Sequence, residues 1–473
     1  MTYALVDNST LTAVQRISGQ ALTKSNDSVD TDIIALENLV QAILFYDRVI
    51  AIDDYIPQYR ESRMSEFPDI TFLNKGDLNL DQIETTSFEE SAKLHPKIKG
   101  GEFVNKDFKN LIELLQTHIV CTWDINSSIY HLTLKSLSDN QQEFDKYGNI
   151  AAAIFSELGD AQESGNRTSG NVELLDQFGR PITSDYKVLG AKWNNGGESS
   201  GEASGAIKAF VASLVWLANR SIFYSLSAKY LQADTFLYPI RQAYQQSYIS
   251  QTCNYGLNYP KHIVEHFSKL ISEDLIDIQS AGLATSTSTS LPMFSAWLAK
   301  ETGDPAKIVN AAYSIRNNPD LVEAREQFRE VRRLFDESGI EDSNKAVGKI
   351  ISDISKASNG IRVKYGLQTR QGVPVTKLVH VYNTYAALSC LPKMPGYNFK
   401  VKIPEFLYNL KQPKGFRSVY RNLTEDLSTV WSLGEARNIL GSRIAKDEKA
   451  RAYSPKQEQP RFRYAHSQFK SPM

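Results

Sequence analysis

The sequence predicts an α/β N-terminal unit with a parallel sheet, followed by a large, mainly α-helical region. Three observations carry that expectation. Short β-branched runs alternate with helical patterns between Tyr3 and Leu73, as strands joined by crossover helices do. Nine of the 26 glycines fall between Gly159 and Gly205, in clusters such as "NNGGESSGEASG", which mark long loops. Beyond them, apolar residues recur at helical spacing through most of the chain. With 473 residues, 41% of them hydrophobic and 23% charged, the composition is that of a folded, water-soluble protein.

Tyr3–Val6 reads as a strand, and Ser9–Ile17 as the helix after it, with Asp7, Asn8 or Ser9 able to cap its free N–H groups. From Asp32 to Phe45, Ile33, Leu36, Val40, Ile43 and Leu44 stand near helical spacing, so an amphipathic helix is expected. Arg48–Asp53 and Ile70–Leu73 are strand-type runs. After the glycine-rich stretch, helices are expected over Ala206–Leu231, His262–Ile278, Pro305–Ile315, Leu321–Ser338, Asn344–Ser358, Val375–Leu391 and Ser418–Lys446. On the charged helix face of 324–335, Glu326 and Arg329 have the spacing of a contact. The resulting division is an α/β unit over 1–138, Gly/Ser-rich loops and a boundary over 139–205, an α-helical domain over 206–392, and a basic helical segment with a C-terminal arm over 393–473.

No basic stretch precedes an apolar one at the start, and Ala206–Ala218, the most apolar stretch, is too short to span a bilayer. A cytoplasmic chain without membrane contact is expected. Cys121, Cys253 and Cys390 lie far apart, which fits a reducing compartment and neither a disulfide framework nor a zinc site. The formal net charge of -1 hides an asymmetry: Lys393–Met473 holds 16 Lys and Arg against 7 Asp and Glu. Such a basic end can dock on phosphates, or on the acidic remainder of its own chain.

"YALVDNSTL", an apolar strand ending in Asp7, a small polar pair and a Leu entering a helix, resembles the opening of PIN-like nuclease domains. A second stretch adds to it: Asp107 opens a plausible helix, and the β-branched Ile119–Trp123 runs into Asp124 in a Thr-x-Asp pattern. The resemblance covers at most the first 130 residues or so. It implies a metal-dependent phosphodiesterase acting on RNA or single-stranded nucleic acid, with Asp7, Asp107 and Asp124 in the catalytic site. Asp7 and Asp124 would bind Mg or Mn directly. Where the family sets a further acid after its second strand, this chain has Tyr55–Gln58; Glu61 is the nearest later acid, and Asp53 or Asp54 could substitute. The chemistry needs carboxylates because hard divalent cations take oxygen ligands, and strand ends converge them on one point. The competing reading makes Asp7 and Asp107 helix caps and runs one helix from Phe108 to Leu137, with Asp124 on its surface.

"GGESSGEASGAIK" opens a helix from a glycine-rich loop but lacks the G-K-[ST] of a P-loop, so it reads as a connector. Seven of the 23 tyrosines lie between Tyr224 and Tyr259 near Arg220 and Arg241, a composition that either stacks bases or packs helices. "NLKQPKGFRSVYRNL" and "RFRYAHSQFK" interleave cations with aromatics, which makes Lys411, Lys414, Arg417, Arg421, Arg461 and Arg463 candidate nucleic-acid contacts. His262 and His266 share a helical face without the Glu of a zinc-protease motif. Besides the nuclease, the rival function is a non-catalytic helical interaction protein that docks a partner protein or nucleic acid.

Overall fold

The computed structural model describes residues 1–23, 28–99, 102–104, 117–124, 129–136, 141–166, 173–175, 178, 200–245, 286–291, 293–319, 321–322, 325–326, 329, 375–380 and 434–446. In chain order the elements are β1 (Tyr3–Val6), α1 (Asn8–Ser18), β2 (Leu22–Thr23), α2 (Val29–Phe45), β3 (Arg48–Asp53), α3 (Pro57–Glu66), β4 (Thr71–Asn74), α4 (Asp81–Ala92), β5 (Lys97–Lys99), β6 (Glu102–Phe103), β7 (Thr117–Asp124) and β8 (Ile129–Ser136). They continue with α5 (Gln141–Glu163), β9 (Glu173–Leu175), α6 (Ser200–Tyr230), β10 (Ala233–Phe236), β11 (Ser286–Leu291), α7 (Phe294–Thr302), α8 (Ile308–Ile315), β12 (Val375–His380), α9 (Glu435–Gly441) and β13 (Ala445–Lys446).

Contacts group these elements into two compact units. The first is built from Met1–Thr23, Val29–Ser87 and Arg220–Lys446. Its centre is a fully parallel sheet in the order β10-β1-β3-β4. β1 is flanked by β3, which follows it after α1, β2 and α2, and by β10, whose Ala233 pairs with Tyr3. Ala4, Leu5, Val6, Val49, Ile50, Ala51 and Ile52 are all buried, as expected of parallel strands covered on both faces.

Among the described helices, α2 packs against β1, β3 and β10. Every residue from Asp30 to Phe45 is buried. Its apolar side chains, including Ile33, Leu36, Leu39, Val40, Ile43 and Leu44, each supply roughly 1.5–3 kcal/mol of burial. Four of its polar ones, Asp30, Asp32, Glu37 and Asn38, each fasten a distant segment. Asp32 takes a two-pronged ion pair from Arg16 of α1 at 2.6 and 2.7 Å, and Asp30 takes one from Arg437 of α9 at 2.7 and 3.1 Å. Glu37 accepts the backbone N–H groups of Phe294 and Ser295 at 3.1 and 2.7 Å, so a buried carboxylate caps α7. Asn38 donates to the Leu237 carbonyl at 2.8 Å, just past β10.

The C-terminal end of α2 is held by three arginines. Arg325 donates to the Leu44 carbonyl at 3.0 Å, and Arg316 to those of Tyr46 and Asp47 at 2.7 and 2.8 Å. Arg329 pairs with the Asp47 carboxylate at 2.5 Å, which also accepts the Thr2 N–H at 2.7 Å. Cations at a helix C-terminus complement its dipole. The expected Glu326–Arg329 pair is present at 2.5 Å.

The second unit, within Phe88–Asn219, holds a three-stranded sheet, β6-β5-β9, the antiparallel hairpin β7–β8, the helix α5 and the part of α6 before Arg220. Phe155 and Phe210 meet with ring centroids 5.7 Å apart, and the Trp216 indole N–H donates to Asp160 at 2.9 Å.

Several expectations need correction. The segment 139–205 is not all loop, because α5 occupies Gln141–Glu163. Val375–Leu391 does not begin as a helix: Val375–His380 is β12, paired antiparallel with the Ser/Thr-rich β11. Its Val-Thr-Lys-Leu-Val run has strand propensity, and a partner strand decides between the two periods. Within Ser418–Lys446 the described helix is only Glu435–Gly441, and Ala445–Lys446 pairs in parallel with β2. α6 extends past Ala218, and its stretch Ala209–Tyr230 is long and apolar enough to cross a membrane by length and composition, with 89% of the window buried inside the protein. The expected helices His262–Ile278 and Asn344–Ser358 lie outside the described residues.

Two tests follow from this packing. Gly19 ends α1 at φ +81°, and a Cβ there would stand 2.6 Å from the Arg443 carbonyl oxygen, next to the β2–β13 pair. Gly19→Ala should destabilise the protein by about 1–3 kcal/mol in denaturant unfolding. For Asp47, burial raises the carboxyl, but the Arg329 and Thr2 hydrogen bonds outweigh it and bring the pKa from 3.8 to about 2. A depressed folded-state pKa means stability that is present above 3.8 and lost as pH falls through about 2. Between those values Asp47→Asn should therefore show a shallower loss of stability with falling pH than the wild type.

Candidate functional site at the carboxyl edge of the sheet

In open parallel sheets, ligands sit beyond the carboxyl ends of the strands, at the point where strand order reverses. Here that point is β1, with β3 and β4 on one side and β10 on the other. Asp7 follows β1, Asp53 ends β3 with Asp54 after it, and Leu237–Tyr238 follow β10. Three carboxylates do converge on this edge, as the hydrolytic reading wants.

Each of them has an arginine. Asp7 is fully buried, as is its partner Arg241, whose Nη1 donates to Oδ2 at 3.0 Å. The other Asp7 oxygen accepts two backbone N–H groups, from Thr10 at 3.0 Å and from Tyr238 at 3.0 Å. Asp7 is thus the N-cap of α1 and the tie between the ends of β1 and β10. Asp54 pairs with Arg220, and the two side chains are 2% and 4% exposed. Its second oxygen accepts the side-chain amide of Asn8, which also donates to the Ile52 carbonyl at 3.0 Å. Asp53 pairs with Arg60 of α3 at 2.5 Å. Burial, reinforced by Asp54 and opposed by Arg60, pushes the Asp53 carboxyl above its ordinary value.

Arg63 completes the cluster from α3. It donates to the Asn8 carbonyl at 2.9 Å, to Asn8 Oδ1 at 2.7 Å and to Thr12 Oγ1 at 2.6 Å, and lies 4.2 Å over the Tyr55 ring. Arg220 lies over Phe223 and Tyr224 at 4.6 and 4.8 Å. The Tyr224 hydroxyl accepts the Asn8 N–H at 3.4 Å, and burial raises its pKa.

Three Asp and four Arg leave this edge net positive. A divalent cation at Asp7 would have to displace the Arg241 guanidinium and the two N–H donors, so these residues do not fit a resident Mg or Mn ion. Among the described residues no group of three or more His, Cys, Asp or Glu is placed to hold a metal.

Asp124 does end a strand, as Ile119–Trp123 suggested, and the long helix through it is not formed. That strand, however, is β7, paired antiparallel with β8 and not with β1. The place beside β1 belongs to β10, which leads into Tyr238 and Arg241 and brings no acid to its end. Glu61 is on α3 and exposed. Asp107, Lys411, Lys414, Arg417, Arg421, Arg461 and Arg463 lie outside the described residues. Tyr224, Tyr238 and Tyr244 are buried, the packing alternative for the tyrosine-rich stretch. Arg63 carried no sequence signal beyond its type and Asn8 only that of a possible cap, and the partnership of Arg220 and Arg241 with Asp54 and Asp7 spans 166 and 234 residues.

No family model matches this chain, and neither a curated protein nor a solved structure matches it.

The buried pair makes an energetic prediction. Asp7→Asn keeps an acceptor for the Thr10 and Tyr238 N–H groups but strands the Arg241 charge, and should cost about 3–5 kcal/mol in denaturant unfolding. Adding Arg241→Met should recover part of that loss, since removing both members of a buried pair is cheaper than orphaning one.

Proposed function

We propose that this chain works by binding and not by hydrolysis: its α/β unit is a scaffold, and its helical and basic segments engage a macromolecular partner. The observation that carries the reading is the pairing of Asp7, Asp53 and Asp54 with Arg241, Arg60 and Arg220. Carboxylates neutralised in this way hold strand ends together and are poorly disposed to bind a cation or activate water. The basic C-terminal segment favours an anionic partner, and its interleaved aromatics favour single-stranded nucleic acid.

One observation favours the metal-dependent phosphodiesterase as a second reading. Asp7 and Asp53 stand at the carboxyl ends of adjacent parallel strands, the placement such chemistry uses. In that reading Asp107 and Asp124 would have to complete the site.

Labelled single-stranded RNA and DNA, incubated with Mg or Mn, separate the two. Binding without cleavage is the expected result. Its affinity should fall steeply with salt, and further when Lys411, Lys414, Arg417, Arg421, Arg461 and Arg463 are all changed to Gln. Metal-dependent cleavage that disappears in Asp124→Asn, a variant that leaves the Asp7–Arg241 pair untouched, would overturn the binding reading. Neither binding nor cleavage would turn the search to protein partners.

A further inference from the structure

A crossover helix between parallel strands ordinarily buries an apolar stripe against the sheet. α3, which joins β3 to β4, does not. Among Pro57–Glu66 the one buried side chain is Arg63, a cation. By contrast α1 buries Leu11, Ala13, Val14 and Ile17, and α2 is buried from Asp30 to Phe45. What fastens α3 is polar. Arg63 reaches Asn8, Thr12 and Tyr55, Arg60 pairs with Asp53, and Glu66 accepts from the Gln15 amide. The N-terminus has no side-chain cap, Ile56 preceding Pro57. On either side the chain is pinned by buried apolar residues, Tyr55 before the helix and Phe67 and Ile70 after it.

We propose that α3 is a lid latched by Arg60 and Arg63 over Asp53 and Asn8, and that it opens without unfolding the sheet beneath it. Segments with few buried apolar contacts open at lower free energy than the core, because little hydration cost opposes them. Tyr55 and Phe67 confine the movement to the helix. Opening uncovers Asp53, whose side chain is 4% exposed when the latch is closed, and releases both Asn8 acceptors held by Arg63. The device is thus a switch in the accessibility of the sheet's carboxyl edge, and it holds whichever function that edge serves. Its two cations differ in kind: Arg60 is 41% exposed and open to screening, whereas Arg63 is buried and hydrogen-bonded.

Hydrogen exchange of the full chain, read by mass spectrometry, tests this. Amides of Arg60–Glu66 should exchange at least about tenfold faster than those of Leu11–Ile17 and Leu36–Leu44. Raising NaCl from about 0.05 to about 1 M should speed exchange in α3 and spare α1 and α2, since only the exposed Arg60 pair is screened. Arg63→Gln should add about a further tenfold in α3 alone, the scale of one charge-assisted hydrogen bond. Arg60→Gln, on the surface, keeps the test valid if Arg63→Gln unfolds, and should remove the salt response. Exchange in α3 as slow as in α1 would overturn the proposal, as would fast exchange that ignores salt and both variants.

Discussion

The Asp7–Arg241 ion pair is the constraint on which the sheet unit depends. Two charges without solvent contact are tolerable only when every lone pair and donor nearby finds a partner, and Asp7 spends its oxygens on Arg241, Thr10 and Tyr238. The bonds to Arg241 and Tyr238 fix the segment that follows β10, and the bond to Thr10 starts α1. One carboxylate therefore specifies which strand lies beside β1, although that strand is 230 residues away in the chain. Hydrophobic burial makes the unit stable, but it would accept other apolar neighbours. The buried charge would not.

The same division of labour recurs along α2. Its apolar surface fills the layer against the sheet, and its Asp30, Asp32, Glu37 and Asn38 each select one distant segment by a directional bond. A helix buried on all sides would otherwise be free to rotate and slide among similar packings. Polar groups that are costly to bury unpaired penalise those alternatives. Among the described helices of the unit joining the strands of the sheet, α3 differs from α1 and α2 in being polar in its attachment as well as in its exposed face.

The carboxyl edge shows how a motif can be correctly located and differently used. A strand, an Asp and a helix do follow one another at Tyr3–Ser18, and further acids do stand at the end of β3. What separates a cation site from a structural tie is the charge brought to those acids by other segments. Here Arg60, Arg220 and Arg241 bring positive charge, and the edge becomes a polar seam in the fold.

By itself the sequence determined five local elements of the first 75 residues nearly to the residue, but neither β2 nor α3. β1 and β3 match their expected bounds, α1 and β4 differ by one residue, and α2 starts a turn early. Periodicity and β-branching are local properties, so a local reading recovers them. It also offered Asp7 as one of three candidate caps, beside its reading as a metal ligand, and placed the Glu326–Arg329 contact; both are interactions between residues three apart. Only the tertiary structure decided that Ala233–Phe236 is a strand, that Val375–His380 is one too, and that Asp7 answers to Arg241. Ala-Asp-Thr-Phe has no strand pattern of its own; it is extended because β1 offers it a ladder of backbone donors and acceptors. Pairings of that kind are set by long-range packing and the avoidance of unpaired buried charge, and no window of neighbouring residues contains them.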